Sequence, residues 1–183
     1  MPWRRQAGIT LAEMLITVAV LGIVARVAIP NASPLTAFAN DAATAEVLRA
    51  IRFAQSEAIR TGAWHTVKID TNAQTLRVYR LTDSGAEDTT IPVLHPIDKK
   101  TYSLAFGAGG PARAVMSLVD FDYAGAGNTN LNVLGFRPDG TPALLAGSKA
   151  GDVKPLTAGV IAIQYGATQR RLVIDVVTGR VSG

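Results

Sequence analysis

The chain has 183 residues, 48% of them hydrophobic and 17% charged. That composition excludes an extended disordered chain, which needs low hydrophobicity and high charge. The length suits one domain with an appendage, and a formal net charge of +4 is no nucleic-acid footprint by itself. Without any cysteine there is no disulfide framework, thiolate metal site, cysteine nucleophile or cysteine lipid anchor.

Met1 to Gly8 is short and polar and holds Arg4 and Arg5. Ile9 to Ile29 follows, apolar apart from the charges of Glu13 and Arg26 and a few mild breaks. At ~1.5 Å per residue this segment spans roughly 30 Å, one bilayer core, and it reads as a transmembrane helix. The two arginines hold the N-terminus in the cytoplasm, so the rest of the chain points outward. A cleaved secretory signal fits less well, because Glu13 interrupts the apolar run and no A-x-A site closes it. A twin-arginine signal lacks its flanks. Arg26 sits near the outer end, where its head group reaches the interface. Glu13 is the anomaly. A carboxylate inside an apolar span costs a few kcal/mol, about 2–3 on insertion scales, and marks a functional residue with a partner to be named.

Gly8-Ile9-Thr10-Leu11-Ala12-Glu13 resembles the cleavage box of type IV prepilins and pseudopilins. The resemblance implies that 1–8 is a leader peptide, removed by a dedicated prepilin peptidase between Gly8 and Ile9. Ile9 then becomes the N-methylated terminus, and Glu13 meets a neighbouring subunit's amine during assembly. The physics agrees, since a cation and a carboxylate in low dielectric relieve each other's desolvation.

Pro30 and Pro34 break the first helix. A second helical pattern runs from about Thr36 to Thr61, with Leu35, Phe38, Ala42, Ala45, Leu48, Ile51, Ala54 and Ala58 at three- and four-residue spacing. Gly62 supplies the stop. The alanine-rich face implies close packing on a sheet. From Ala63 the period changes to two. Residues 64–69 and 75–81 form a hairpin around a turn at 70–73. A polar surface loop covers 82–90, and 91–100, with two prolines, stays irregular or at an edge. Short strands follow at 101–106, 115–123 and 132–137, the last closed by Pro138-Asp139-Gly140. Residues 144–155 read as loop. A second hairpin pairs 159–165 with 170–177, and 178–183 is a tail.

One long N-terminal helix followed by strands is an α+β order. Residues 51–62, Leu134-Gly135-Phe136-Arg137-Pro138-Asp139-Gly140 and Val176-Val177-Thr178-Gly179-Arg180-Val181 resemble boxes of the GspH/FimT minor pseudopilins. The resemblance implies a pilin-like fold. Its long N-terminal helix has a transmembrane half over 9–29 and an amphipathic half over 30–62. An antiparallel β-sheet domain, 63–183, packs on that helix. It implies a non-catalytic subunit at the tip of a type II secretion pseudopilus or a type IV pilus. The partners would be other major and minor pilins or pseudopilins, and the location the bacterial inner membrane before assembly. Some members resemble DNA-capturing minor pilins, which makes Arg170, Arg171 and Arg180 candidate phosphate contacts and DNA an alternative partner. Three arginines make only a few phosphate contacts, and no aromatic platform is interleaved with them. The plainer reading is a solvated strand face. An unprocessed, membrane-anchored β domain unrelated to filaments is the other competitor.

No catalytic residue, cofactor or metal site is expected. His65 lies in an alternating strand and His95 beside a proline, and a lone histidine so placed is more often structural than a base. Gly107 to Gly110 lacks the lysine and helix of a phosphate loop. Asp120-x-Asp122, with Gly125 and Asn128 beyond, has some flavour of a calcium loop but lacks its terminal glutamate.

Overall fold

The computed structural model describes residues 10–28, 33–109, 113–125, 131–147 and 152–183. Its residues fall into two units, one ending at Pro34 and one comprising Leu35–Gly183. In the first, helix α1 spans Leu11–Ala28. Every described side chain from Thr10 to Val24 is exposed. Among the described residues no helix is long and apolar enough to cross a membrane. The expected span of 9–29 runs outside the described residues at both ends, and with it Pro30.

Helix α2 spans Ser33–Thr61. Pro34 falls in its first turn, where a missing N–H is tolerated. Gly62 closes it, its N–H on the Ala58 carbonyl at 3.0 Å. The face turned to the core is Ala43, Val47, Ala50, Ile51, Ala54 and Ala58, all fully buried. The expected C-terminal half of the stripe is therefore correct, and the N-terminal half is mixed. Ala42 packs on the core as expected, whereas Phe38 is 77% exposed, and Ala43 and Val47 are the fully buried residues where Ala45 and Leu48 were expected. Alanines at 42, 43 and 45 have no size contrast, so periodicity cannot decide which of them faces in.

Two antiparallel sheets complete the second unit. The strands are β1 (His65–Asp70), β2 (Thr75–Arg80), β3 (Ser103–Ala105), β4 (Val115–Tyr123), β5 (Val133–Phe136), β6 (Ala143–Leu145), β7 (Val153–Tyr165), β8 (Thr168–Ile174) and β9 (Val181–Ser182). The first sheet has the order β3-β2-β1-β5, and the second β4-β7-β8-β9 with β6 also on β7. The first hairpin forms as expected, with His65 opposite Arg80 and Asp70 opposite Thr75. Three expectations fail. Residues 143–145 and 153–155 pair as strands where a loop was read, because β6, with three residues, carries too little alternation to be seen and so gives no sign of the partner that extends β7 back to Val153. β8 stops at Ile174, since Asp175 turns the chain. The tail holds β9, with Ile174 opposite Val181.

Side chains tie the layers. The Gln74 amide acts as a strand residue would: Met116 N–H donates to its Oε1 at 2.8 Å, and its Nε2 donates to Met116 O at 3.0 Å. Tyr123 reaches from the second sheet to donate to Val133 O on β5 at 2.7 Å. Burial pushes its phenol well above the ordinary range. One core cluster joins the α2 face to both sheets, from Ala43 to Ile174.

A core this close to the helix leaves no room at the alanines. Ala54→Leu is expected to destabilise residues 35–183 by about 1–3 kcal/mol through overpacking, read by urea unfolding. The exposed neighbour substitution Ser56→Ala is expected to change stability by less than ~0.5 kcal/mol. Equal midpoints for the two would show that the face is loosely packed.

Candidate functional site

Glu13 stands at the third helical position after Thr10. The Thr10 N–H donates to Glu13 Oε2 at 3.3 Å, and the Glu13 N–H donates to Thr10 Oγ1 at 3.3 Å. This reciprocal pair is a capping box, which satisfies two of the backbone donors that a helix start leaves open. The T-x-x-E spacing of Thr10 and Glu13 could have revealed it in the sequence. The carboxylate is thereby folded back toward the helix start, where the positive end of the helix dipole favours it. Gly8 and Ile9, the expected cleavage and methylation positions, lie outside the described residues.

The three downstream boxes meet in one place. Gln55, on the last turns of α2, uses its two amide hydrogens on two separate turns. It donates to Gly140 O at 2.8 Å and to Thr178 O at 2.7 Å. Both turns are built for this approach. Gly140 has φ +85°, and a Cβ there would lie 2.7 Å from Ile59 Cδ1. Gly179 has φ +69°, and a Cβ there would lie 2.7 Å from Phe136 Cε1 and 3.1 Å from Gln55 Nε2. Only glycine meets both demands without strain. Aspartates hold each turn. Asp139 Oδ1 accepts from the Thr141 N–H and hydroxyl. Asp175 Oδ1 accepts from the N–H groups of Val177 and Thr178 and from the Thr178 hydroxyl. These bonds hold both carboxyls below their ordinary value. No spacing rule singles out Gln55 in the sequence, because its partners are 85 and 123 residues away.

The candidate DNA contacts are not gathered on one face. Arg170 donates to Asp41 Oδ1 at 2.7 Å and clips β8 to α2. Arg171 is its neighbour on the strand and so points to the opposite face. Arg180 lies beyond the Asp175 turn, its carbonyl accepting the Asp175 N–H at 2.8 Å. This arrangement does not support the DNA alternative.

The histidines are structural neighbours of α2. His65 is 2% exposed, and its Nδ1–H donates to Ala63 O at 3.0 Å. Burial pushes its imidazole below the ordinary value, while that hydrogen bond and Glu57 oppose the shift. His95 packs edge-on against Tyr102, with ring centres 4.8 Å apart. Asp120 and Asp122 occupy alternate positions of β4, and Asn128 lies outside the described residues. Among the described residues no three His, Cys, Asp or Glu side chains are grouped to hold a metal ion.

Removing the Gln55 donors leaves two carbonyls without their partner. Gln55→Ala is expected to cost about 1–2 kcal/mol, and Gln55→Glu more, because its carboxylate would face both carbonyls. Urea unfolding of residues 35–183 reads both; a Glu variant as stable as the parent would deny the clamp. His65 gives a pH signature. Its folded value lies below the unfolded 6.5, so the native state binds fewer protons and gains stability as pH rises. The melting temperature should fall as pH drops from about 7.5 through 6.5 and below, and His65→Asn should flatten that slope. An unchanged slope would assign it elsewhere.

A family model described as the prokaryotic N-terminal methylation motif matches residues 3–25. Among solved structures, the chain is similar to the type IV minor pilin FimU of Pseudomonas aeruginosa, at 16% identity over 78% of this chain and 86% of that one, with a TM-score of 0.43. It is also similar to the minor pseudopilin EpsH from the Type 2 Secretion System of Vibrio cholerae, at 15% identity over 79% of this chain and 99% of that one, with a TM-score of 0.45. No curated protein matches the chain. The amino end of this chain carries the prokaryotic N-terminal methylation motif.

Proposed function

We propose that the chain is a non-catalytic filament subunit of the minor pilin or minor pseudopilin type. The observation that carries this reading is the methylation motif over residues 3–25 running into a helix whose described side chains are exposed on every side. A helix that is apolar all round is covered either by lipid or by other helices. A filament subunit uses both covers in turn: the inner membrane before assembly, the helices of its neighbours after it. In this reading a membrane peptidase cuts between Gly8 and Ile9, and Ile9 is methylated. Arg4 and Arg5 keep the leader in the cytoplasm, and residues 63–183 stand on the far side of the membrane. Glu13, already folded toward the helix start by Thr10, lies close to the cut and meets a neighbouring subunit's amine. The outward domain then joins other minor subunits at the filament tip.

Gly8→Val tests the processing. The variant should keep its eight-residue leader, seen as intact mass, and should stay out of sheared filaments. A mature mass in the variant, or a wild-type chain that keeps its leader, would overturn the reading. A clean deletion then separates the two machines. Loss of exoproteins with pili intact assigns the secretion pseudopilus, and loss of pili with secretion intact assigns the type IV pilus.

A further inference from the structure

The end of α2 and the β1–β2 pair enclose a cavity of about 380 Å³ that gathers charge. His65 and Arg80 are opposite each other across β1 and β2, on the sheet face whose other pairs, Val67 with Val78 and Ile69 with Leu76, are buried. Both line the cavity, together with Glu57 and Arg60 from the last turns of α2 and Lys99 from the loop beyond. Glu57, the acid among the lining residues, is committed: Arg60 Nε and Nη2 donate to its two oxygens at 3.0 and 2.6 Å. Arg80 is not satisfied. Its Nε is buried without a hydrogen-bond acceptor, and Asp88 Oδ2 stands 3.7 Å away. Asp88 is held there, because its Oδ1 accepts from the Thr90 N–H, the Thr90 hydroxyl and the Ile91 N–H. A buried guanidinium N–H without an acceptor is a cost that a ligand can remove. Lys99 is exposed and, among the described residues, forms no ion pair. Ile91 and Leu94, 50% and 45% exposed, line the same cavity beside Pro92 and Pro96.

We propose that this cavity binds a small organic carboxylate, its charge between Arg80 and Lys99 and its apolar body against Ile91, Pro92 and Leu94. The site does not depend on the filament reading. Its volume falls within the roughly 300–1,000 Å³ of small-ligand sites. Arg60, Arg80 and Lys99 outnumber Glu57 in the lining. A carboxylate supplies the acceptor that Arg80 Nε lacks, and its two oxygens match the planar guanidinium fork. The apolar flank favours an organic acid over an inorganic anion, which gains nothing from covering Ile91 and Leu94. His65 couples the site to pH. Its Nδ1–H is spent on Ala63 O, so a second proton goes to Nε2. Burial holds the imidazole below its ordinary value, Ala63 O and Glu57 oppose that shift, and Arg80 and Arg60 add to it. Lys99 in the lining and Asp88 beside Arg80 complete the charged groups around it. A bound carboxylate favours the protonated ring, so binding tightens as pH falls through 6.5 and below.

The test titrates benzoate into the full-length chain in a neutral detergent and follows the imidazole NMR signals, with benzamide as the uncharged counterpart. His65 and His95 are the only histidines, and His95 does not line this cavity, so its signals are the internal control. His65→Asn assigns the two sets. The expected result is a saturable movement of the His65 signals near about 1 mM benzoate, with the His95 signals still. Bound benzoate should raise the pH at which the His65 ring titrates, benzamide should have no effect and sulfate a weaker one. Lys99→Gln should weaken binding about fivefold, the worth of one partly exposed ion pair. Its side chain is exposed, so the melting temperature should not move. No saturable movement of His65, an equal response to benzamide or sulfate, or an equal movement of His95 would each overturn the proposal. So would an affinity indifferent to Lys99→Gln or to pH.

Discussion

Burial of a small-residue face is the constraint on which the Leu35–Gly183 unit depends. Ala43, Ala50, Ala54 and Ala58 present almost no side chain, so sheet residues must come up to the helix backbone to exclude water. Dense packing of this kind stabilises through many weak contacts, each lost steeply with separation. It also leaves little tolerance in how the helix ends are held. The structure answers with polar pins at both ends of the contact. Asn40 Nδ2 donates to Thr168 O at 3.0 Å and Arg170 to Asp41 near the start, and Gln55 reaches two turns near the finish.

That view gives a physical reason for the boxes that carry the GspH/FimT resemblance. Gly140 and Gly179 are turns pressed against Ile59 and Phe136, and Gln55 is the donor that both turns share. Residues far apart in the chain are thus tied by one packing problem, the closing of the helix end against two sheets. The same logic gives Arg170 a part in the packing, since it pairs with Asp41 and ties β8 to α2.

Function is divided between parts with opposite surface chemistry. Helix α1 is apolar, and its described side chains are exposed. The Leu35–Gly183 unit has its own core. Glu13 stands at the beginning of the first part, and its carboxylate is engaged by its own helix start.

The sequence by itself determined the methylation motif at the amino end, the apolar first helix, the second helix with its stop at Gly62, the first hairpin and the α+β order. Each of these is a local pattern, legible because period, capping chemistry and turn residues act within a few positions. It also contained the Thr10–Glu13 box, which was there to be read. Only the tertiary structure decided which alanines face inward, where β6, the early part of β7 and β9 lie, and that the three arginines do not share a face. Those outcomes depend on partners dozens of residues away. A three-residue strand has no pattern of its own, a run of alanines has no contrast in size, and a cation shows whether it is free only when its neighbours are in place.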